Sequence, residues 1–434
     1  MHKNSQRAFY YESFRGSDNL ISEFTKRNKV LLSNSNFMLY VIGYVISGIG
    51  SRLTTIAISS KILYITKSGL SLSATLILEG IPSFLLGLFA GNVVDKMRKK
   101  NTLIILYILF ALTSFGLIFA NNMSLIYMIS FINGILTAFE YPARNSIIPK
   151  IVDKEHLLEA NSFRSSLSSI NMIVGYSIGG IIVTVFGNDL SFLIDSITFI
   201  VIAALIAFIK IDEKVQADKK ENLFNDISKT VNNTINEIIQ GIKFIGDSRI
   251  IKQVINLNLL STLIISMQTP LVYIFVENYL GGEKLLAARS GMLFSLAGVG
   301  GLIGGILINV IGKQFSSISL MTTVLLFDGI TLIAFSNSKI FLLSSILFTF
   351  LGVIFVVFET LTDTIIQENT NDDNRGKVYG FLGSLVDPLS IISLGVGGAL
   401  TGILTAKTIF ILCGIAEITV ALMYKIYNSL KVVN

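Results

Sequence analysis

The sequence predicts an all-α membrane protein of twelve transmembrane helices in two six-helix pseudo-repeat halves, and three observations carry that prediction. The first is composition: of 434 residues, 52% are hydrophobic and 14% charged, with mean hydropathy +0.70, whereas a soluble domain carries about 25% charged residues. The second is that the apolar excess falls in long runs, each near the ~20 residues a membrane helix needs. The third is that features of the first half recur in the second, in the same order, 214 to 219 residues on.

The apolar runs read as spans near 37–64, 71–93, 102–120, 124–142, 163–186, 190–210, 251–276, 290–311, 318–336, 340–362, 378–402 and 408–427. With the N-terminus in the cytoplasm, the 34 Lys and Arg divide into 27 cytoplasmic or at the cytoplasmic edge, 5 external (Lys67, Lys284, Arg289, Lys339, Lys407) and 2 within span one (Arg52, Lys61). The positive-inside rule therefore predicts a multi-pass protein of the cell (inner) membrane with both termini cytoplasmic. The net charge of +6 becomes a topological signal, and no nucleic-acid partner is expected. Tryptophan is absent, so Tyr and Lys are expected to anchor the interfaces.

The first 35 residues are polar, with no apolar h-region, and predict that no signal peptide is removed. One cysteine, Cys413, and two histidines, His2 and His156, leave little for a disulfide framework or metal centre. No cofactor is expected, and the chain does not read as an enzyme. The domain reading is a cytoplasmic tail over 1–35, a six-helix bundle over 36–210, a cytoplasmic linker over 211–250, a second bundle over 251–427 and a cytoplasmic tail over 428–434. Within the linker, Ile227, Val231, Ile235, Ile238 and Ile242 share one helix face, predicting a helix along the inner membrane surface.

Three pairs define the repeat. Phe139-Glu140 recurs as Phe358-Glu359, Gly179-Gly180 as Gly397-Gly398, and Gly91-x-x-x-Asp95 as Gly305-x-x-x-Asn309. Parallel six-span repeats of this kind enclose a cavity near the membrane midplane.

At these residues, across nearly all of 36–427, the chain resembles the major facilitator superfamily. Its loop signature, Gly-x-Leu-Ala-Asp-Arg-x-Gly-Arg-Lys, stands here as Gly91-Asn92-Val93-Val94-Asp95-Lys96-Met97-Arg98-Lys99-Lys100. In the second half Gly305, Gly312 and Lys313 fit, with Asn309 replacing the acid. The stretch Tyr141-Pro142-Ala143-Arg144-Asn145-Ser146-Ile147-Ile148-Pro149, then Leu158-Glu159-Ala160-Asn161, resembles the exporter branch containing macrolide-efflux pumps and the enterobactin exporter, as does Phe192-Leu193-Ile194-Asp195-Ser196. Gly175-Tyr176-Ser177-Ile178-Gly179-Gly180 is similar to the antiporter pattern Gly-Pro-x-x-Gly-Gly, with Tyr176 in the proline position. The resemblance implies that Asp95, Lys96, Lys99 and an acid near the end of span four latch the inner gate. Glu140 is read as that acid; Arg144 lies one turn on and Arg164 begins span five.

An ionisable group at membrane depth costs about 2.5–3.5 kcal/mol on insertion scales, so each needs a partner or a purpose. Arg52 and Glu79 fall at comparable depth on adjacent spans and are expected to pair across the helices. The pair either holds the N-half together or opens when Glu79 takes a proton and substrate competes. Glu359 and Asp363 lie one helical turn apart on one face, which suits proton acceptance or an inner-gate bridge to Arg375 or Lys377. Asp387, preceding Pro388, either satisfies backbone groups freed by the proline or carries a proton. Asn258, Thr262 and Thr269 share a face of span seven and are expected to line the cavity with spans one, four and ten. Asp195, Asp328 and Glu417 sit on spans six, nine and twelve, which the resemblance makes peripheral, and are expected to hydrogen-bond between helices. The Gly298, Gly300, Gly301, Gly304 and Gly305 series reads as a close helix contact.

No Gly-x-x-x-x-Gly-Lys-Ser/Thr loop occurs, so a gradient rather than ATP is expected to drive transport. The resulting expectation is a monomeric, proton-coupled transporter in lipid that expels a small amphipathic drug or siderophore by alternating access. Its proton-coupling residues are Glu79, Glu359, Asp363 and Asp387; its substrate-binding residues are Arg52, Glu79, Asn258, Thr262, Thr269 and Glu359; its gating loop is Gly91, Asp95, Lys96, Lys99, Glu140 and Arg144. The alternatives are an exchanger or flippase for a lipid or anionic metabolite, for which Arg52 would anchor the anion, and a membrane sensor that moves nothing.

Overall fold

A computed structural model describes residues 30–211, 248–311 and 317–432. The linker positions Ile227, Val231, Ile235, Ile238 and Ile242, like Gly312 and Lys313, lie outside the described residues.

The described chain forms α1 (Ser35–Thr66), α2 (Gly69–Asp95), α3 (Lys99–Gly116, continued by the 3-10 turn Leu117–Phe119), α4 (Met123–Ile151), α5 (Leu157–Phe186), α6 (Asn188–Phe208), α7 (Arg249–Tyr279), α8 (Gly282–Ile311), α9 (Ser317–Asn337), α10 (Phe341–Glu368), α11 (Asp372–Leu400) and α12 (Ala406–Val432). All twelve include a stretch long and apolar enough to cross a membrane. Side-chain caps start several of them: Asn34, Ser68, Asn122 and Ser248 each accept a backbone N–H three residues on, satisfying donors that a helix start leaves free. Lys67 closes α1 in the left-handed region, at φ 49°.

Five boundaries differ from the sequence expectation by six residues or more. Span four, expected to end at 142, runs to Ile151, and span five, expected from 163, begins at Leu157. Span eight, expected from 290, begins at Gly282, span ten, expected to end at 362, runs to Glu368, and span eleven, expected from 378, begins at Asp372. All five prolines, Pro82, Pro142, Pro149, Pro270 and Pro388, lie inside helices. In a membrane bundle, neighbouring helices and hydroxyl side chains can satisfy the backbone groups a proline frees, so Pro142 is not the stop signal it would be in water.

The helices alternate in direction, so odd-numbered helices start on the face where α1 begins and α12 ends, here the terminal face, and end on the opposite, far face. In the first half α1 packs on α5 and α6, α2 on α4, and α3 on α4 and α6. In the second, α7 packs on α11 and α12, α8 on α10, and α9 on α10 and α12. Each pairing thus recurs six helices later. The main contacts between halves, α5 with α8 and α2 with α11, are exchanged by the same shift.

Glycines set how closely the halves approach. A Cβ on Gly180 of α5 would stand 2.7 Å from the Ala287 carbonyl oxygen of α8, and one on Gly291 of α8 would stand 3.0 Å from Gly180 Cα and press on the Tyr176 carbonyl. A Cβ on Gly398 of α11 would stand 3.0 Å from the Gly69 carbonyl of α2. These contacts lie toward the far face, and the extended contacts between halves do not involve α4 or α10. Four of the five α8 glycines read as a close contact pack so: Gly298 meets Ile173, Gly300 and Gly304 meet the α10 backbone at Thr349 and Val353, and Gly301 meets Val356, whereas among the described residues a Cβ on Gly305 would meet no neighbouring helix within 4 Å.

A charge cluster joins the halves at the far face. Lys67 Nζ lies 3.1 Å from Glu277 Oε1 of α7 and 2.6 Å from Glu283 Oε2 of α8. The hydrogen bond that Lys67 donates to Glu283 is the main cause holding the Lys67 ammonium above the ordinary lysine range. Because the folded value is raised, the stabilisation is complete below the unfolded value of about 10.4 and is lost as pH rises through the folded one. Lys67 is 53% exposed, so solvent screens the cluster to about 1 kcal/mol at most. Lys67→Ala is expected to lower the melting temperature slightly at low salt and not in molar salt. A large loss independent of salt would show that Lys67 acts through packing instead.

Candidate functional site

A cavity of about 810 Å³ runs through the first half of the bundle, from Ile62 and Leu72 near the far face to Glu140, Arg144 and Ser168 toward the terminal face. Helices α1 to α6 supply most of its wall; Ser266 and Thr269 of α7 and Leu394 of α11 close the remainder.

The α1 wall is a stripe of hydroxyls at steps of four: Ser47, Ser51, Thr55 and Ser59. Ser51, Thr55 and Ser59 each donate to the carbonyl four residues earlier, at 3.0, 2.9 and 2.8 Å. Their protons are thereby committed to the helix, and the oxygens serve as acceptors for whatever enters. Asn171 of α5 donates to the Tyr44 carbonyl at 3.3 Å, in the space left by Gly48.

Arg52 and Glu79 both line this cavity. Arg52 turns to α5, donating from Nη1 to Tyr176 Oη at 3.2 Å, with its guanidinium carbon 5.3 Å from the ring centroid. Gly175 makes room for the arginine stem, since a Cβ there would meet Arg52 Cβ at 2.7 Å. Glu79 is deep in the bundle, yet its side chain is open to the cavity. α4 packs against its backbone at Gly134, where a Cβ would stand 3.1 Å from Glu79 Cα. The ion pair expected between Arg52 and Glu79 is not formed: among the described residues no Arg52 nitrogen lies within 4.0 Å of a Glu79 oxygen. The reason is helix packing. α1 is built against α5 and α6 far more than against α2, so Arg52 meets Tyr176 first.

At the terminal end of the cavity, Glu140 accepts from Tyr107 Oη at 2.8 Å and forms an ion pair with Arg144 Nε at 2.8 Å. The Arg144 guanidinium lies 5.6 and 5.7 Å from the ring centroids of Tyr44 and Tyr141. Arg164 donates to Asn145 Oδ1 at 2.6 Å. In the loop after α2, Lys99 Nζ lies 3.7 Å from Asp95 Oδ1 and donates to the carbonyls of Val94 and Met97 at 2.6 and 3.2 Å. A cation at a helix C-terminus satisfies its free carbonyls. Lys96 caps α2, and Gly91 faces open space.

The second-half candidates gather separately. Asn258 donates to Glu359 Oε1 at 3.4 Å, and Tyr379 Oη donates to Asp363 Oδ1 at 3.0 Å. Asp387 is exposed beside Pro388, and Thr262 is half-buried. Of the span-seven face read as cavity lining, only Thr269 lines this cavity; Asn258 is turned onto α10 by Glu359, and α10 contributes nothing to the wall.

Asp195 of α6 is 2% exposed and accepts from Ser114 at 2.6 Å, Thr54 at 2.7 Å and Thr198 at 3.5 Å. It joins α6 to α1 and α3, as read, and also reaches the cavity wall. Hydrogen bonds to a charged group contribute about 1.5–3 kcal/mol each. The residues the sequence reading missed are Tyr176 as the arginine's partner and the hydroxyl stripe of α1. The four-residue spacing of Ser47, Ser51, Thr55 and Ser59 was the available signal.

The sequence pattern of the Major Facilitator Superfamily matches residues 40–392. The chain is 22% identical over 411 residues to macrolide efflux protein A of Streptococcus pyogenes, covering 92% of this chain and 98% of that one. It is 24% identical over 361 residues to the staphyloferrin A transporter of Staphylococcus aureus (strain NCTC 8325 / PS 47), covering 80% and 85%, and 21% identical over 373 residues to the multidrug efflux pump Tap of Mycolicibacterium fortuitum, covering 82% and 88%. In structure it is similar to the nucleoside transporter NupG, at TM-score 0.70 and 11% identity, over 90% of this chain and 98% of that one. It is also similar to a bacterial homologue of the iron transporter ferroportin in an inward-facing state, at TM-score 0.66 and 16% identity, over 91% and 99%.

Proposed function

The chain belongs to the Major Facilitator Superfamily, and from that premise we propose that it expels a small amphipathic compound, a drug or siderophore, in exchange for protons. The observation that carries the proposal is the cavity itself. One void holds an acid, Glu79, and a base, Arg52, that do not neutralise each other, within walls rich in hydroxyl oxygens. Alone in low dielectric an ionised carboxylate is costly, so Glu79 changes its proton as the cavity changes its side and its occupant. Substrate oxygens take the Arg52 fork, and substrate donors take the hydroxyl stripe.

Alternating access follows from the two halves. With both termini cytoplasmic and the protein a monomer in the inner membrane, contact at α5–α8 and α2–α11 closes the external side, and Lys67 with Glu277 and Glu283 latches it. The Asp95–Lys99 turn and the Glu140–Arg144 pair belong to the inner gate. Glu359, Asp363 and Asp387 carry protons at the mouth of the second half, with Asn258 and Thr262 completing the path. Each charge moved across about 100 mV releases about 2.3 kcal/mol, enough to concentrate a substrate roughly fifty-fold. The relatives named for macrolide, multidrug and staphyloferrin A transport support an exporter of such compounds. One observation favours a second reading: Arg52 has tyrosine, not a carboxylate, beside it, which suits exchange of an anionic lipid or metabolite.

The test is uptake in cells lacking their own efflux pumps, loaded in turn with macrolides, tetracyclines, catechol siderophores and an anionic lysolipid. The proposal expects expression to lower retention of one of the first three classes, and a protonophore to abolish the difference. Retention unchanged by expression for all three, or a difference indifferent to the protonophore, contradicts it.

A further inference from the structure

Away from the cavity, in the second half, α9 and α12 cross where Gly329 and Gly414 face each other. A Cβ on Gly414 would stand 2.6 Å from the Gly329 carbonyl, and one on Gly329 would stand 2.5 Å from the Gly414 carbonyl and 3.2 Å from Glu417 Cβ. Beside this crossing lie Asp328, 9% exposed, and Glu417, fully buried. Among the described residues no N–H or O–H group donates to either oxygen of Glu417. What faces it is the carboxyl of Asp328, within hydrogen-bonding reach. Among the described residues no Lys, Arg or His nitrogen lies within 4.0 Å of either acid. Glu417 also acts on the nearby Cys413, whose thiol points at Met267 Sδ, 3.8 Å away.

The repeat shows how unusual this is. In the first half the buried acid at the equivalent helix crossing, Asp195, has three hydroxyl donors: Thr54, Ser114 and Thr198. Glu417 follows Asp195 by 222 residues, and Asp328 follows Ser114 by 214. These differ from the 218-residue offset of Gly179-Gly180 by one helical turn each, which keeps the same helix faces. At matching offsets Thr54 and Thr198 become Val272 and Val420. The second half has therefore exchanged every donor for an acid or a methyl group.

Two carboxyl groups can hydrogen-bond only if one of them carries a proton, and two buried carboxylates in contact cannot both be ionised without a counter-charge. We propose that Asp328 and Glu417 form a proton-binding site between α9 and α12, separate from the cavity, in which one hydrogen ion is shared by the two carboxyls. The bound proton supplies the hydrogen bond that the hydroxyls supply to Asp195. Its removal leaves two like charges at a glycine crossing and loosens α9 from α12.

The test is infrared spectroscopy of the full-length protein in sodium-free lipid discs across a pH series, with thermal melting alongside. The wild type is expected to show the carbonyl stretch of a protonated carboxylic acid that persists after exposed carboxylates have ionised and is lost at alkaline pH together with a fall in melting temperature. Glu417→Gln is expected to lose that band and to flatten the alkaline fall. Should Glu417→Gln not fold, Asp328→Ser, which restores the residue type of the first half, provides the same comparison. A band unchanged in the variant that folds, or an alkaline fall that persists in it, overturns the proposal. Stabilisation of the wild type by sodium or potassium, lost in the variant, also overturns it in favour of a metal cation as the occupant.

Discussion

Glu79→Gln is expected to abolish accumulation driven by a pH gradient while leaving substrate-for-substrate exchange within about twofold of wild type. The substitution keeps the shape of the side chain and its ability to hydrogen-bond, and removes only the capacity to gain and lose a proton. Glu79 is open to the cavity and has no ion-pair partner among the described residues, so nothing structural depends on its charge. Gradient-driven transport should fall at least roughly a hundredfold, equivalent to about 2.7 kcal/mol of lost coupling. Equal loss of exchange and gradient-driven transport would instead make Glu79 a substrate contact. Retention of both at wild-type rates would remove it from the mechanism.

Gly291→Leu is expected to arrest transport by a different route. The glycine of α8 lies against α5, with Gly180 Cα 3.0 Å from where its Cβ would be, so a branched side chain has to push the halves apart on the far side. Overpacking of this kind costs about 1–3 kcal/mol, and the cost falls on the far-side closed state alone. Transport is expected to drop at least roughly tenfold, with the melting temperature lowered and the far side more accessible to water-soluble thiol reagents at an introduced cysteine. The control is Gly87→Ala, where among the described residues no neighbouring helix comes within 4 Å of the added carbon; it should transport normally. Normal transport by folded Gly291→Leu would show that the α5–α8 contact does not act as the far gate.

Much of the fold was readable because membrane helices obey few rules. A run such as 102–120 has to be a helix, because lipid admits only helices and closed barrels and a barrel strand takes only about 9–11 residues, and α3 spans Lys99–Gly116 with its 3-10 extension. The repeat of Phe139-Glu140 in Phe358-Glu359 was legible for the same reason: equivalent helices keep equivalent positions. Side-chain partners were less so. That Arg52 would choose Tyr176 over Glu79 depends on which of two neighbouring helices α1 packs against, and depth along a span says nothing of azimuth. Nor did the face shared by Asn258, Thr262 and Thr269 reveal that Asn258 would be drawn to Glu359 on α10. The prolines misled at one boundary, as Pro142 and Pro149 sit within α4.

Proton exchange through this cavity is the central claim, and its most direct measurement is proton movement itself. The purified protein would be reconstituted in liposomes holding an internal pH dye, with no imposed gradient. Macrolides, tetracyclines, catechol siderophores and lysolipids would be added one at a time. The account predicts a pH change inside for at least one amphipathic compound, absent from protein-free vesicles and lost in Glu79→Gln. Transport of a compound by folded wild-type protein with no accompanying pH change would contradict it.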